Sequence, residues 1–333
     1  MHFSRLYAGK VLLFWLRIPI TDGRQFAIMV GVESGDKEMK LQPHLLVIDG
    51  MALLFRSFYA TSVMGHYQYL PDGRASNGVQ GFARHVLTAQ SIVKPSHLAI
   101  CWDMGTQTFR NELFREYKSN RSAPPEEMIP QFDMAKEVSE WIGWKNIGEI
   151  GMEADDCIGS IVEKWKEEAK ITIISGDRDL LQLLNPATEI AFTKKGYSEY
   201  DVYTVERFKS EYAIEPHQFV DVKAFMGDSS DGYPGVKGIG PKTALQLIQK
   251  YGSVDGVLKN LEELKPGQRN KIAENMEMLK LSYQLASINK NVSIKASLDE
   301  LTVPNYKAET FEHLASKGFT SIAKHAHSLM PIV

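Results

Sequence analysis

Three short apolar runs, each delivering an aspartate at its carboxyl end, limit what this chain can fold into. Leu45-Leu-Val-Ile48 is followed by Asp49, and Leu98-Ala-Ile-Cys-Trp102 by Asp103. Ile171-Thr-Ile-Ile174 is followed by Asp177 and Asp179. Runs this short and this continuous read as strands buried on both faces, as in a parallel sheet with helical crossovers. Before the third run, Ile158, Ile161, Val162 and Trp165 recur at helical spacing, and Glu153, Asp155 and Asp156 stand at that helix's start. Acids there also cap a helix and complement its dipole, which serves for Glu153 and Asp155 taken alone. Repetition at three strand ends favours more. Open α/β sheets bind ligands beyond the carboxyl ends of their strands, so these acids converge on one edge. Like charges so placed raise each other's pKa, and an oxygen-only cluster suits hard cations, Mg²⁺ or Mn²⁺.

At 333 residues the chain has room for one large domain and a smaller one. A net charge of -3 rules out a generally basic coat but not local basic patches. Cys101 and Cys157 both fall inside predicted elements and make no disulfide framework, which suits a reducing cytoplasm. The apolar run Val11 to Leu16 is broken by Arg17, too short to span a bilayer and not followed by a cleavage site. Residues 1–43 therefore read as an extension of unassigned role, with Met39 as an alternative start.

After Asp49 a helix carries Arg56, which suits either solvent or a DNA contact. Residues 104–140 interleave basic and aromatic side chains: Phe109, Arg110, Arg115, Tyr117, Lys118 and Arg121, before Pro124-Pro125 and a helix over about 126–142. Such a face suits a phosphate backbone and unstacked bases, and its place straight after Asp103 outweighs the reading as a solvated helix face. Further on, a helix over 216–226 precedes Asp228 and Asp231. Gly238-Ile-Gly240-Pro241 then opens another helix ending at Tyr251. With helices on both sides and no strand before it, this is a poor dinucleotide fingerprint. It fits a helix–hairpin–helix, whose backbone N–H groups face DNA phosphates. The last forty residues carry no signal.

Together these motifs resemble the 5′-nuclease family: free-standing 5′–3′ exonucleases, flap endonucleases and the amino-terminal nuclease domain of family A DNA polymerases. The match runs from about Leu45 to Asn291. It implies an α/β core, a mostly parallel sheet flanked by helices, over 44–205, with a helical arch at about 105–140. A helix–hairpin–helix subdomain over 206–291 and a tail over 292–333 complete it. By resemblance, Asp49, Asp103, Glu153, Asp155 and Asp156 are ligands of a first metal group, and Asp177, Asp179, Asp228 and Asp231 of a second. Lys118 and Arg121 act on the scissile phosphate, Asp156 and Asp179 belong to the catalytic set, and Tyr117 stacks on a base. Arg56, Arg110, Lys237, Gly238, Gly240, Lys242 and Thr243 are expected at DNA, with K⁺ as a monovalent ion at the hairpin. The implied activity is two-metal hydrolysis at a 5′ end or 5′ flap of double-stranded DNA, or of an RNA primer on DNA, by a cytoplasmic monomer without membrane contact. A haloacid-dehalogenase-type phosphotransferase fails because Asp49 is followed by Gly50-Met51 rather than by Asp-x-Asp. A non-catalytic flap-binding homologue would lack some of the nine acids, and none is missing.

Overall fold

The structure is a computed structural model describing residues 5–8, 11–19, 25–33, 42–329 and 332. The chain divides into two compact units, Met1–Gln42 and Pro43–Val333. The first is an antiparallel meander of β1 (Arg5–Ala8), β2 (Val11–Pro19) and β3 (Gln25–Glu33), with Trp15 opposite Met29. The sequence reading places no element before residue 44, so this sheet is a correction. A run such as Val11 to Leu16 becomes a strand through its partner, which its own periodicity does not reveal.

In the second unit the chain runs β4 (His44–Asp49), α1 (Gly50–Ser62), α2 (Asn77–Val93), β5 (His97–Cys101), α3 (Phe109–Leu113), α4 (Ile129–Ile142), β6 (Lys145–Ile147), α5 (Ala154–Trp165) and β7 (Lys170–Ser175). It continues through β8 (Thr188–Thr193), β9 (Tyr200–Tyr203), α6 (Val205–Tyr212), α7 (Phe219–Met226), α8 (Pro241–Tyr251), α9 (Val254–Lys259), α10 (Pro266–Glu274), α11 (Met276–Ala286), α12 (Ala308–Ser316) and α13 (Thr320–Leu329). The sheet order is β6-β5-β4-β7-β8-β9, parallel except for β9. From β4 the chain steps outward to β5 and β6, then returns to place β7 on the other side of β4. The order reverses between β4 and β7, the crevice where such sheets bind ligands.

Leu45 to Ile48 are wholly buried because the strand is covered on both faces. Leu45, Val47, Ala99, Ile171 and Ile173 pack with Ile158, Ile161 and Trp165 of α5 and with the core of α7 and α8. Leu46, Ile48, Leu98 and Ile100 face Leu53, Phe82, Val86 and Val138 of α1, α2 and α4. Phe311 and Leu314 of α12, Phe319 in the turn after it and Ile322 of α13 complete this second core, all essentially without exposure. Within the segment 292–333, expected as a tail, α12 and α13 thus form a packed layer. Their apolar spacing is only a few turns long and gains meaning against α2 and α4.

The expected arch over 105–140 is helical only at its ends. α3 has five residues, 114–128 runs through turns, and α4 lies on the core with Met134, Ala135 and Val138 buried. In the hairpin region, the backbones at Gly227 and Gly235 cross so closely that a Cβ on either would strike the other's chain, and both have positive φ. That crossing fixes where the turn to α8 begins.

Candidate metal and nucleic-acid site

The aspartates fall where the strands end, and each is first a local structural device. Asp49 ends β4 and caps α1: Oδ1 accepts from the Ala52 N–H at 2.9 Å, and Oδ2 from the Ser175 hydroxyl at 2.6 Å. Ser175 Oγ accepts in turn from the Asp177 N–H at 2.9 Å, joining the ends of β4 and β7 across the crevice. Asp177 Oδ1 accepts from the Asp179 N–H at 2.8 Å. Asp103, just past β5, accepts from the Ala154 N–H at 2.6 Å at the start of α5.

Burial and mutual repulsion set the electrostatics. Burial, with Asp103 and Asp177 nearby, lifts the Asp49 carboxyl to about 6 against its hydrogen bonds. Burial lifts Asp155 well above the ordinary range, helped by Asp177, Asp49 and Glu153, and raises Asp103 as well. Burial and Asp177 carry Asp179 to about 7 despite Lys223. Asp228 goes the other way: burial opposes its charge, but bonds from Lys223 and Ser230 hold it at about 2.

Basic groups lie among the acids. Lys118 Nζ is 2.7 Å from Glu153 Oε1, and Arg121 Nη2 is 2.6 Å from Asp231 Oδ1. Lys223 Nζ is 2.7 Å from Asp179 Oδ1 and also bonds Asp228. Tyr117 joins the two acid groups, its hydroxyl 2.9 Å from Asp231 Oδ2 and 3.2 Å from Glu153 Oε2. Lys118 has φ of 57°, a left-handed backbone uncommon for a lysine, held by its N–H on the Asp231 carbonyl at 2.8 Å. Among the described residues no three acids converge closely enough to hold an ion as they stand. In donor chemistry the set fits a hard divalent cation: it is oxygen only, and burial and mutual repulsion raise Asp49, Asp103, Asp155 and Asp179, whose charged forms an added cation would favour.

Several expected roles are redistributed. Asp156 is wholly buried and turned from the edge, its oxygens accepting from Arg110 Nη1 and Nη2, both at 2.8 Å, from the Glu153 N–H at 3.0 Å and from the Asn289 N–H at 2.9 Å. Every acceptor direction is used, so it stands as the anchor of Arg110 rather than as an ion ligand. Arg110 is equally buried and ties the carbonyls of Leu285 and Ser287 to this pair at 3.0 and 2.9 Å, so it does not face DNA. Tyr117, 3 % exposed, has no free face for a base. Helical spacing put Asp156 off the apolar stripe, but a second polar layer covers it there.

Lys223 and Ser175 were missed as members of the site. A charge inside the apolar run Val222-Lys223-Ala224-Phe225 is the signal that could have found the lysine. Lys237, Gly238, Gly240 and Lys242 are exposed or open at the surface and Thr243 is half-buried at the start of α8, apart from the acids in sequence and available to a ligand. Lys271 of α10 donates to the Gly238 carbonyl at 3.0 Å, so an ammonium already rests on the hairpin backbone. Arg56 lies seven residues beyond Asp49, ~10 Å along α1, and lines a separate cleft.

Comparison with known proteins agrees with this architecture. Residues 44–213 match the model of the 5'-3' exonuclease N-terminal resolvase-like domain, and 214–309 that of the 5'-3' exonuclease C-terminal SAM fold. The chain is 50% identical over 256 residues to the 5'-3' exonuclease of Bacillus subtilis (strain 168), covering 77% of this chain and 86% of that one. It is 35% identical to DNA polymerase I of Lactococcus lactis subsp. lactis (strain IL1403) over 81% of this chain, a stretch that makes up only 31% of the polymerase. The T5 D15 protein co-crystallised with metal ions superposes with a TM-score of 0.63 at 19% identity, covering 86% of this chain and 98% of that one. The two domain models follow one another over the sheet and the hairpin region just described, and the chain belongs to the 5′-3′ exonuclease family of nucleic-acid hydrolases.

Proposed function

We propose that the chain cleaves phosphodiesters near the 5′ end of one strand of double-stranded DNA, 5′ flaps included, with two divalent cations, Mg²⁺ or Mn²⁺. The observation that carries this reading is the set of carboxyls at the β4–β7 crevice. Burial and repulsion raise their pKa values to about 6 at Asp49 and about 7 at Asp179. Acids so arranged gain from cations and hold none of their charge cheaply without them. Asp49, Asp103, Glu153 and Asp155 would hold one ion, and Asp177, Asp179, Asp228 and Asp231 the other. Bound there, the ions supply an activated water and stabilise the leaving oxygen.

The chain's own residues do the rest. Lys118 and Arg121 now neutralise Glu153 and Asp231; ions on those acids would free both cations for the scissile phosphate. The strained backbone at Lys118 points its ammonium at the acid edge before substrate arrives. The exposed turn at Lys237 to Lys242, with the start of α8, is suited to grip duplex phosphates without reading bases. There the Lys271 ammonium supplies the positive charge otherwise assigned to K⁺. An RNA primer paired with DNA offers the same phosphates and remains within the proposed substrate class. Among the described residues no helix is long and apolar enough to cross a membrane.

The test uses one 5′-flap duplex, labelled at each end in turn, with Mg²⁺ and then with excess chelator. Metal-dependent release of the intact flap is the expected result. Metal-dependent loss of short products from the 5′ end would restrict the proposal to exonuclease action. Tight binding without cleavage in either ion would refute it.

A further inference from the structure

The last residues of α11 and the extended stretch after it, Leu285 to Asn289, form a strap that joins no sheet. Its peptide groups are nevertheless paired, one after another, by side chains from the acid edge. Arg110 donates to the Leu285 carbonyl at 3.0 Å and to the Ser287 carbonyl at 2.9 Å. Asp156 accepts from the Asn289 N–H at 2.9 Å. Gln182 supplies the groups between them: Nε2 donates to the Ala286 carbonyl at 3.0 Å, and Oε1 accepts from the Ile288 N–H at 3.1 Å. One carboxamide thus holds the carbonyl and the amide that flank Ser287, as a neighbouring strand would.

Gln182 is bound on its other side as well. It is 6 % exposed and stands in the short 3₁₀ helix Arg178–Leu183, where Nε2 also donates to the Asp179 carbonyl at 3.0 Å. The two protons of one amide therefore go to the backbone of an acid at the crevice and to the strap. Arg110 and Asp156 do the same for the other acid group: Arg110 Nη1 lies 3.3 Å from Glu153, and the Glu153 N–H donates to Asp156 at 3.0 Å. Leu285 and Ala286 pack between these groups, against Tyr117, Val220 and Tyr233. The strap lies in the 214–309 domain, and Arg110, Asp156 and Gln182 in the 44–213 domain. Here the half that carries the turn at Lys237 to Lys242 is fastened to both groups of acids.

We propose that Gln182 is a positioning residue for the cleavage reaction, setting the register between a duplex held at that turn and the acids at the crevice. The inference rests on the nuclease reading and extends it to a residue that is not itself an ion ligand. A turn that grips phosphates without reading bases does not choose which phosphate is cut, so the choice falls to the fixed distance between grip and acids. Successive phosphates of one strand advance only about 3.4 Å along the duplex axis, so a loosened strap brings neighbouring ones into reach. A shift of about 1 Å at the reacting atoms also costs up to ~10²-fold in rate.

The experiment compares wild type with Gln182→Met on one 5′-flap duplex. In excess chelator, flap affinity should stay within about twofold, because the gripping turn is untouched. Hydrogen exchange of the Ile288 N–H, which loses its acceptor, should quicken by about 2- to 10-fold, the worth of one hydrogen bond. With Mg²⁺ the single-turnover rate should fall by about 10- to 100-fold, and the first cut, at one phosphate in wild type, should spread over its neighbours. Gln182→Glu keeps the length but sets an oxygen against the Asp179 and Ala286 carbonyls, and it should scatter the cut likewise if Gln182→Met folds poorly. Three results overturn the proposal. One is a cut at the wild-type phosphate at the wild-type rate. A second is flap affinity in chelator that falls in step with the rate, which would make Gln182 a support of the grip. The third is a slower cut at the wild-type phosphate alone, which would confine the residue to holding Asp179. Wild type that binds the flap and leaves it uncut would fail the nuclease reading, and a wild type that cuts keeps the two failures apart.

Discussion

Replacing Asp156 by Asn separates an ion ligand from a structural anchor. In the folded chain the Asp156 carboxylate accepts four hydrogen bonds, two of them from the Arg110 guanidinium, and both side chains are buried. The amide introduced by Asp156→Asn would set an N–H₂ against these donors and leave Arg110 with Glu153, at 3.3 Å, as its one remaining carboxylate. Removing one partner of a buried pair costs about 3–5 kcal/mol, because the remaining charge stays desolvated. At about 2–4 °C per kcal/mol for a chain of this size, the melting temperature should fall by roughly 6–20 °C. The assay is thermal and urea unfolding followed by circular dichroism in excess chelator, with divalent-ion binding measured separately. Arg110→Met should cost a similar amount, since the Leu285 and Ser287 carbonyls lose their donor. The double variant should cost less than the sum, as expected of groups in contact. The reasoning is refuted if metal-free Asp156→Asn is as stable as wild type within about 1 kcal/mol yet loses its affinity for divalent ions. That result would return Asp156 to the ligand set.

Lys223→Met should destabilise the metal-free protein by about 3 kcal/mol, since Asp179 and Asp228 lose their shared cation; saturating Mg²⁺ should restore most of the loss in a melting curve, and an uncorrected loss would mean that no ion reaches those acids. Lys118→Ala should lower kcat by about 10²-fold or more while circular dichroism stays native, as for removal of a group aimed at transition-state charge; an unfolded variant would make the lysine structural. The His85 imidazole is held at about 4, below the 6.5 of an unfolded chain. The unfolded state therefore takes up the proton first, and the stability this neutral histidine confers is complete above pH 6.5 and lost as pH falls towards 4. The difference amounts to about 3 kcal/mol over that window. Comparing wild type with His85→Gln by urea unfolding at several pH values isolates it from the acids, whose raised pKa values act in the opposite sense. A pH-independent difference between the two proteins would show that His85 titrates normally.

Much of the site could be read from the chain because its parts are local. An aspartate directly after a buried strand must lie at the sheet edge, and Asp49, Asp103 and Asp177 all do so. The turn from Gly238 to Pro241 announces α8 in the same way, through residue types that only a turn and a helix start require. Helical spacing alone could not tell which acids keep their oxygens free. Asp155 and Asp156 are neighbours with the same chemistry, yet one faces the edge and the other is locked to Arg110 across 46 residues of chain. Tyr117 reads as a stacking residue until its hydroxyl is seen spanning from Glu153 to Asp231.

Local sequence is enough to say that strands end in acids, where the helices between them lie, and that a glycine-rich turn opening a helix follows. Those features depend on periodicity, capping and turn chemistry within a dozen residues. Long-range packing settles the rest: the reversal between β4 and β7, the meander of β1, β2 and β3, the layer formed by α12 and α13, and the buried Lys223 between Asp179 and Asp228. Most of these depend on a partner far along the chain, and the meander on pairing between neighbouring strands. Burial and charge pairing are properties of that partner's position, and no local pattern encodes them.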